Sequence, residues 1–181
     1  MTRAVRALRL DASIALRHLL LNVIAGSALV PRPLRHLVYL LCGLDVRTPN
    51  VFSGTRITGR DLHVGQGTFV NHECYLDAAR GRIEIGRDCH LAPHVMVLTA
   101  THDVGGAGEV SREAGYLVTT IGDRVWLGAR ATVLPGAVVE SDCIIAAGAV
   151  VKGRCEAGGV YAGVPARRVR ESSRPRDVAL R

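Results

Sequence analysis

Ile121-Gly-Asp-Arg-Val-Trp, Leu127-Gly-Ala-Arg-Ala-Thr, Val133-Leu-Pro-Gly-Ala-Val, Val139-Glu-Ser-Asp-Cys-Ile, Ile145-Ala-Ala-Gly-Ala-Val and Val151-Lys-Gly-Arg-Cys-Glu are six consecutive blocks of six residues. Each opens on Ile, Leu or Val, and the fifth place of each is small or β-branched: Val125, Ala131, Ala137, Cys143, Ala149 and Cys155. An amphipathic helix repeats its apolar face every 3.6 residues and a strand every two. A period of six fits neither as one long element and marks a repeat whose unit is one short side of a triangular parallel β-helix. The branched residue fills the prism and the small one fits where the chain turns inside a corner. Three blocks make one coil, and coils stack at strand spacing of about 4.8 Å.

The pattern extends in both directions from this stretch. Val51 and Ile57 hint at it, and Val64, Val70 and Leu76 keep step. Three extra residues in Ala78-Ala79-Arg80-Gly81-Arg82 predict a bump at one corner, after which Ile85, Leu91 and Val97 resume. The step is lost after His102. Asp103 to Thr119 is rich in Gly and charge and predicts a loop expelled from the coil near 103–119. The expected fold is therefore an all-β repeat, with a helical segment over 1–45, the β-helix over 46–170 and a disordered polar tail over 171–181. The regular part amounts to roughly six coils, a prism about 30 Å long. Its open ends need covers, which the N-terminal helices and the C-terminal segment are placed to supply.

The 181 residues suit one domain, with 48% apolar content for a core and only 4% aromatic, as a narrow prism requires. The net charge of +7 comes from arginine, Lys152 being the only lysine, and the arginines gather towards the two ends. The repeat is thus no basic stripe, which argues against nucleic acid. Of the five cysteines, Cys74, Cys89, Cys143 and Cys155 all take the fifth place of a block and read as small core fillers. An odd count without a CxxC pair speaks against a disulfide framework and for the cytoplasm, at its inner membrane face if the N-terminus attaches there. Val5 to Ala25 predicts a helix ending near Gly26, and Leu34 to Cys42 a second, shorter one. The run Leu19 to Val30 is too short to span a bilayer. Two readings stay open for residues 1–45: packing on the coil or a neighbouring subunit, and peripheral membrane contact through an Arg-rich amphipathic face.

The blocks, the loop opening Thr99-Ala-Thr-His-Asp, Val125-Trp-Leu-Gly and Gly163-Val-Pro-Ala-Arg together resemble the hexapeptide-repeat acetyltransferases, and within them the maltose, galactoside and polysaccharide O-acetyltransferase branch, over about Val51 to Arg170. The resemblance implies a left-handed parallel β-helix, a homotrimer with sites between prisms, acetyl-CoA as co-substrate, no metal, and a sugar-containing acceptor: a polysaccharide, a lipid-linked sugar or a small glycoside. It implies His102 as the general base, since an alcohol at neutral pH needs one and imidazole has a suitable pKa. It places Asn71 against the acceptor, with Asp77 a looser match one residue out of step. Trp126 either stacks on a neighbouring chain or lines the acetyl-CoA cleft. Arg167 and Arg170 match the family's basic positions after Gly-x-Pro and would hold the coenzyme phosphates through their planar forks. Gly128, Ala129, Ala147 and Gly148 are small where the pantetheine arm would run, and each could equally be small to suit the coil. The family's nearby lysine would fall at Gly153, with Lys152 one place early.

Other functions share these features. N-acetylation of an amino sugar or an antibiotic would use the same fold and donor. A zinc carbonic anhydrase would need converging histidines from His72, His90, His94 and His102, but His90 and His94 are four apart and at different places in their blocks. A non-catalytic β-helix scaffold is the third reading, opposed by the intact loop histidine and the Gly-Val-Pro-Ala-Arg segment.

Overall fold

The computed structural model describes residues 3–102 and 115–172, the side chains of residues 3, 4 and 10 excepted. From Asp45 onward the chain runs round three parallel sheets in strict rotation, so that each sheet receives every third strand. The first face is built from Asp45–Val46, Leu62–Val64, Gly81–Ile85, Leu117–Ile121, Val138–Val139 and Arg154–Cys155. The second holds Phe69–Val70, His90–Leu91, Trp126–Leu127, Ile144–Ile145 and Gly159–Ala162, with Val51 bridged to Val70 beneath them. The third holds Arg56–Gly59, Tyr75–Ala78, Met96–Leu98, Thr132–Val133 and Val150–Val151. The path is a three-sided coil.

Register confirms the blocks of six. Leu91 pairs with Leu127 and Leu127 with Ile145, while Val97 pairs with Val133 and Val133 with Val151. These branched residues stack on the prism axis and are fully buried. At about 1.5–3 kcal/mol for each buried Val, Leu or Ile side chain, this one-residue-wide column is the main source of stability. The fifth-place residues are buried beside them. Where that place is Thr, the hydroxyl reaches a carbonyl of a neighbouring turn: Thr68 Oγ1 donates to Gly86 O at 2.7 Å and Thr55 Oγ1 to Asn71 O at 3.3 Å. Cys74, Cys89, Cys143 and Cys155 are free and buried. Desolvation pushes the thiols of Cys74, Cys89 and Cys155 up to about 11 and raises that of Cys143, which keeps them protonated and unreactive.

Three expectations need correction. The expelled segment does not reach Thr119: Leu117–Ile121 is a strand whose residues 117, 118 and 119 pair with Gly81, Arg82 and Ile83. The extra residues after Leu76 lengthen the two flanking strands, to Ala78 and from Gly81, and leave the expected bump as an exposed bend at Ala79 and Arg80. Of the predicted loop, residues 103–114 lie outside the described residues. Cys155 is not a corner filler. It comes only four residues after Val151, and it pairs with Val139 in the place of a branched strand residue. The polar tail begins later than 171, since the last strand, Arg167–Glu171, turns back antiparallel on Gly159–Ala162. Residues 173–181 are outside the description.

The N-terminal cap is helix α1 (Arg3–His18), a π turn (Leu19–Ile24) and helix α2 (Arg32–Leu41). It is tied to the first coil by polar side chains. Arg17 donates to Gly59 O and Cys42 O, and the Asn22 amide pairs with both backbone groups of Ile57. Arg35 is buried and donates to the carbonyls of Ala25, Ser27, Val30 and Val51. A buried guanidinium is tolerated because its donors are so fully used.

Candidate functional site

The coil sorts the predicted residues by edge. Where the second face turns into the third, successive coils place Asn71, Ala92, Gly128, Ala146 and Ala162 one above another. Their backbones are tied in a ladder: Asn71 N–H to Leu91 O, Ala92 N–H to Leu127 O, Gly128 N–H to Ile145 O and Ala146 N–H to Tyr161 O. The next positions along are His72, Pro93, Ala129, Ala147 and Gly163. Above Asn71 this edge is thus floored by Ala, Gly and Pro up to the turn at Gly163-Val164-Pro165. Gly128 is forced by packing, since a Cβ there would lie 2.5 Å from Ala147 N. Gly148 is not: nothing lies within 4 Å of its Cβ position, and its φ of +69° is matched at the same corner by Arg130 and His94. Its smallness therefore leaves open space that the turn itself does not demand.

Trp126 stands on the second face two residues before Gly128, 43% exposed, in register with His90 below and Ile144 above. Phe52 and Phe69 lie lower on this side with ring centroids 4.8 Å apart, and His90 is 6.2 Å from Phe69. Arg167 pairs with Ala162, which puts it at the upper end of the small-residue edge, and Arg170 pairs with Val160 on the same strand. Both are exposed. Arg168 between them is instead engaged by Glu156 and Glu171.

Asn71 is held rather than free. Its side-chain oxygen accepts the His72 N–H at 2.8 Å, so its amide NH2 is what it chiefly offers a ligand. The His72 ring in turn contacts Ser53 Oγ at 3.0 Å through Nδ1.

Asp77, His102 and Lys152 belong elsewhere. Asp77 points outward from the third face, its carboxylate bonded to the Thr58 hydroxyl and to the Ala79 N–H at 3.2 Å. Thr99 is buried and donates from Oγ1 to Asp77 O at 2.7 Å, so it pins the chain at the point where it leaves the coil towards exposed His102. Lys152 follows Val151 where the third face turns into the first, away from Gly128, Ala147 and Arg167. One described chain therefore brings together Asn71, Trp126, Gly128, Ala129, Ala147, Gly148 and the arginine strand. It sets His102, Asp77 and Lys152 towards the opposite edge of the third face. Sequence reading missed Thr58 and Ser53, the side chains that hold Asp77 and the His72 ring, and the parts played by Thr99 on the Asp77 carbonyl and by the His72 N–H on Asn71. The Thr58–Asp77 and Ser53–His72 partners are 19 residues apart, and only knowledge of the coil length at that level would have joined them.

The histidines do not gather. His90 lies by Phe69, His94 ion-pairs with Glu73 at 3.3 Å and His72 contacts Ser53. Among the described residues, no group of three or more His, Cys, Asp or Glu is placed to hold a metal. A cavity of about 360 Å³ lies elsewhere, between α1 and the third–first edge, lined by Ile14, Arg17, Ile57 and Arg60 among others. The small-residue edge is open on its outer side.

Comparison with known proteins falls in line with this architecture. Residues 119–153 match the model of the bacterial transferase hexapeptide (six repeats). The galactoside O-acetyltransferase of Escherichia coli (strain K12) is 28% identical over 113 residues, 62% of this chain and 55% of that protein. The chain spans about half the length of the curated relatives it matches. Among solved structures, a maltose O-acetyltransferase from Clostridium difficile 630 superposes with a TM-score of 0.76 at 24% identity, covering 90% of this chain and 87% of that one. A galactoside acetyltransferase in complex with coenzyme A superposes with a TM-score of 0.77 at 22% identity, covering 90% and 82%.

Proposed function

We propose that the chain is a hexapeptide-repeat acetyltransferase, a reading its repeat and its similarity to acetyltransferases support, and that it is an acetyl-CoA-dependent O-acetyltransferase acting on a sugar hydroxyl. The observation that carries this reading is the low edge from Gly163 down to Asn71. A slender pantetheine arm needs a floor without side chains, cations at one end and the acceptor at the other. Arg167 and Arg170 stand at the upper end, Gly128, Ala129, Ala147 and Gly148 floor the middle, and Asn71 lies at the lower end.

In this reading the imidazole of His102 takes the proton of the acceptor hydroxyl as its oxygen attacks the thioester carbonyl carbon. The amide NH2 of Asn71 donates to an acceptor oxygen and fixes its angle of approach. The tetrahedral intermediate collapses with cleavage of the C–S bond, and the imidazolium returns its proton to the departing thiolate. No acyl-enzyme is needed. Since His102 belongs to the opposite edge of the third face from Arg167 and Gly128, the reading calls for a second prism to bring the edges together. A homotrimer of left-handed coils does this three times over, with each site made by two chains.

Titration calorimetry with acetyl-CoA tests the proposal without knowledge of the acceptor. Micromolar binding by the wild type, weakened about tenfold or more in Arg167→Ala, is the expected result. Release of free thiol in a screen of sugar acceptors would then name the substrate. Folded protein that fails to bind acetyl-CoA would sink the assignment.

A further inference from the structure

The cap carries a surface that the acyl-transfer site does not use. Residues 5–16 of α1 are exposed, apart from Leu10, whose side chain is not described, so this helix stands off the coil. Arg17 and Asn22 face the coil, as do buried Arg35 and Tyr39 on α2. On the opposite sides of the two helices run stripes at helical spacing: Leu8, Leu16 and Leu19, with Ala12 between them, and Leu34, Leu37 and Leu41. Their exposures are 70%, 57% and 46%, and 51%, 49% and 78%. Twelve of the eighteen exposed large hydrophobic side chains among the described residues fall between Val5 and Leu41. A patch of that concentration on a protein with a well-filled core marks a docking surface.

Charge says what docks there. Residues 1–44 hold six arginines against one acid, Asp11, whereas the rest of the chain holds seventeen basic and fifteen acidic residues. Most of the net charge thus belongs to the segment that carries the apolar stripes. Arg6 and Arg9 are exposed on α1 and border its stripe. Packing of cap on cap between two copies would gather arginines with almost no acid to pair them. An anionic lipid surface satisfies both features at once, taking leucines into its acyl boundary and guanidinium groups at its phosphates. No helix among the described residues is long and apolar enough to cross a membrane, so the helices would lie along the surface.

We propose that α1, the π turn and α2 form a peripheral docking surface for an anionic lipid bilayer. The attachment does not depend on the acyl-transfer reading. The test is co-sedimentation of the full chain with vesicles of neutral phosphatidylcholine alone and of phosphatidylcholine with phosphatidylglycerol, at low and high salt. Partition should favour the anionic vesicles by about tenfold or more and fall with salt. Leu8→Asp with Leu37→Asp, and separately Arg6→Glu with Arg9→Glu, should each lower that partition about tenfold or more, with circular dichroism and solution mass unchanged. Equal binding to both vesicles, or none, overturns the proposal. So does a change of solution mass in the leucine variant, which would assign the stripes to a second copy of the chain.

Discussion

Along the second–third edge, each step from one inward residue to the next is six residues: Val51 to Ile57, Val70 to Leu76, Leu91 to Val97, Leu127 to Val133 and Ile145 to Val151. Along the third–first edge the steps from Ile57 to Val64, Leu76 to Ile85, Val97 to Ile121, Val133 to Val139 and Val151 to Cys155 are seven, nine, twenty-four, six and four. One repeat thus has a constant edge and a variable one. The constant edge accepts Glu73, His94 and Arg130 in left-handed backbone, whereas the left-handed residues of the variable edge are Gly59, Gly136 and Gly153. The lesson is a division of labour. Side chains can change on the constant edge but its length cannot, because the inward column above and below keeps count. The variable edge takes in extra chain between strands, as between Val97 and Ile121, and so can carry residues such as Thr99 and His102 that the repeat does not encode.

The sharpest way to break this comparison is to insert one alanine at each edge. After Ala129 it should turn the following inward residues outward, and with several buried side chains at about 1.5–3 kcal/mol each, cooperative folding should be lost. After Arg80 it should cost no more than about 1 kcal/mol, as a slightly longer loop. Urea denaturation of the two proteins decides, and equal losses would erase the distinction. His102→Ala, on the variable edge, should lower acetyl transfer by about 10²- to 10⁴-fold while leaving acetyl-CoA affinity within about threefold. Loss of coenzyme binding in folded variant protein would move His102 from base to scaffold.

Smaller effects resolve the constant edge itself. Gly128→Val would drive a side chain into the Ala147 backbone and should cost about 3 kcal/mol in denaturant midpoint. Gly148→Asn should cost less than about 1 kcal/mol, since asparagine tolerates that backbone and the space is open. If the two cost the same, packing does not distinguish them. The buried thiols give a pH test between the two. Unfolded, they lose their protons near 9; folded, Cys74, Cys89 and Cys155 hold them to about 11. Their contribution to stability should be constant below pH 9 and fall between pH 9 and 11, by about 1.4 kcal/mol per pH unit for each such thiol. Cys74→Ala with Cys89→Ala should flatten that slope in urea midpoints read at pH 8 and 10.5.

The column of inward residues was legible in the sequence because every block declares its first place with Ile, Leu or Val. What happens at the variable edge was not. Gly81–Ile83 and Leu117–Thr119 look like irregular chain until it is seen that they pair with each other. Cys155 kept the beat of the sixes by count, while the coil had already shortened beneath it. The division of candidate residues between edges, by contrast, follows from counting alone. Asn71, Gly128, Ala146 and Ala162 each come one residue after an inward residue of the second face, and Lys152 one residue after an inward residue of the third. The bonds from Thr58 and Thr99 that hold Asp77 join separate coils and leave no trace in local pattern.

The reversal at Gly163-Val164-Pro165 has a consequence best put as crystal growth. A coil of identical pitch is a one-dimensional lattice whose last layer is a face for further deposition. Here Ala166 N–H bonds to Val150 O, Val150 N–H bonds to Gly163 O, and Arg167–Glu171 lies antiparallel on the second face. The final layer is thereby poisoned by a segment of the wrong direction, with Arg167, Arg168 and Arg170 on its exposed side. Chain that ends before Arg167 would lack this terminator, and its coils could nucleate end-to-end addition of others.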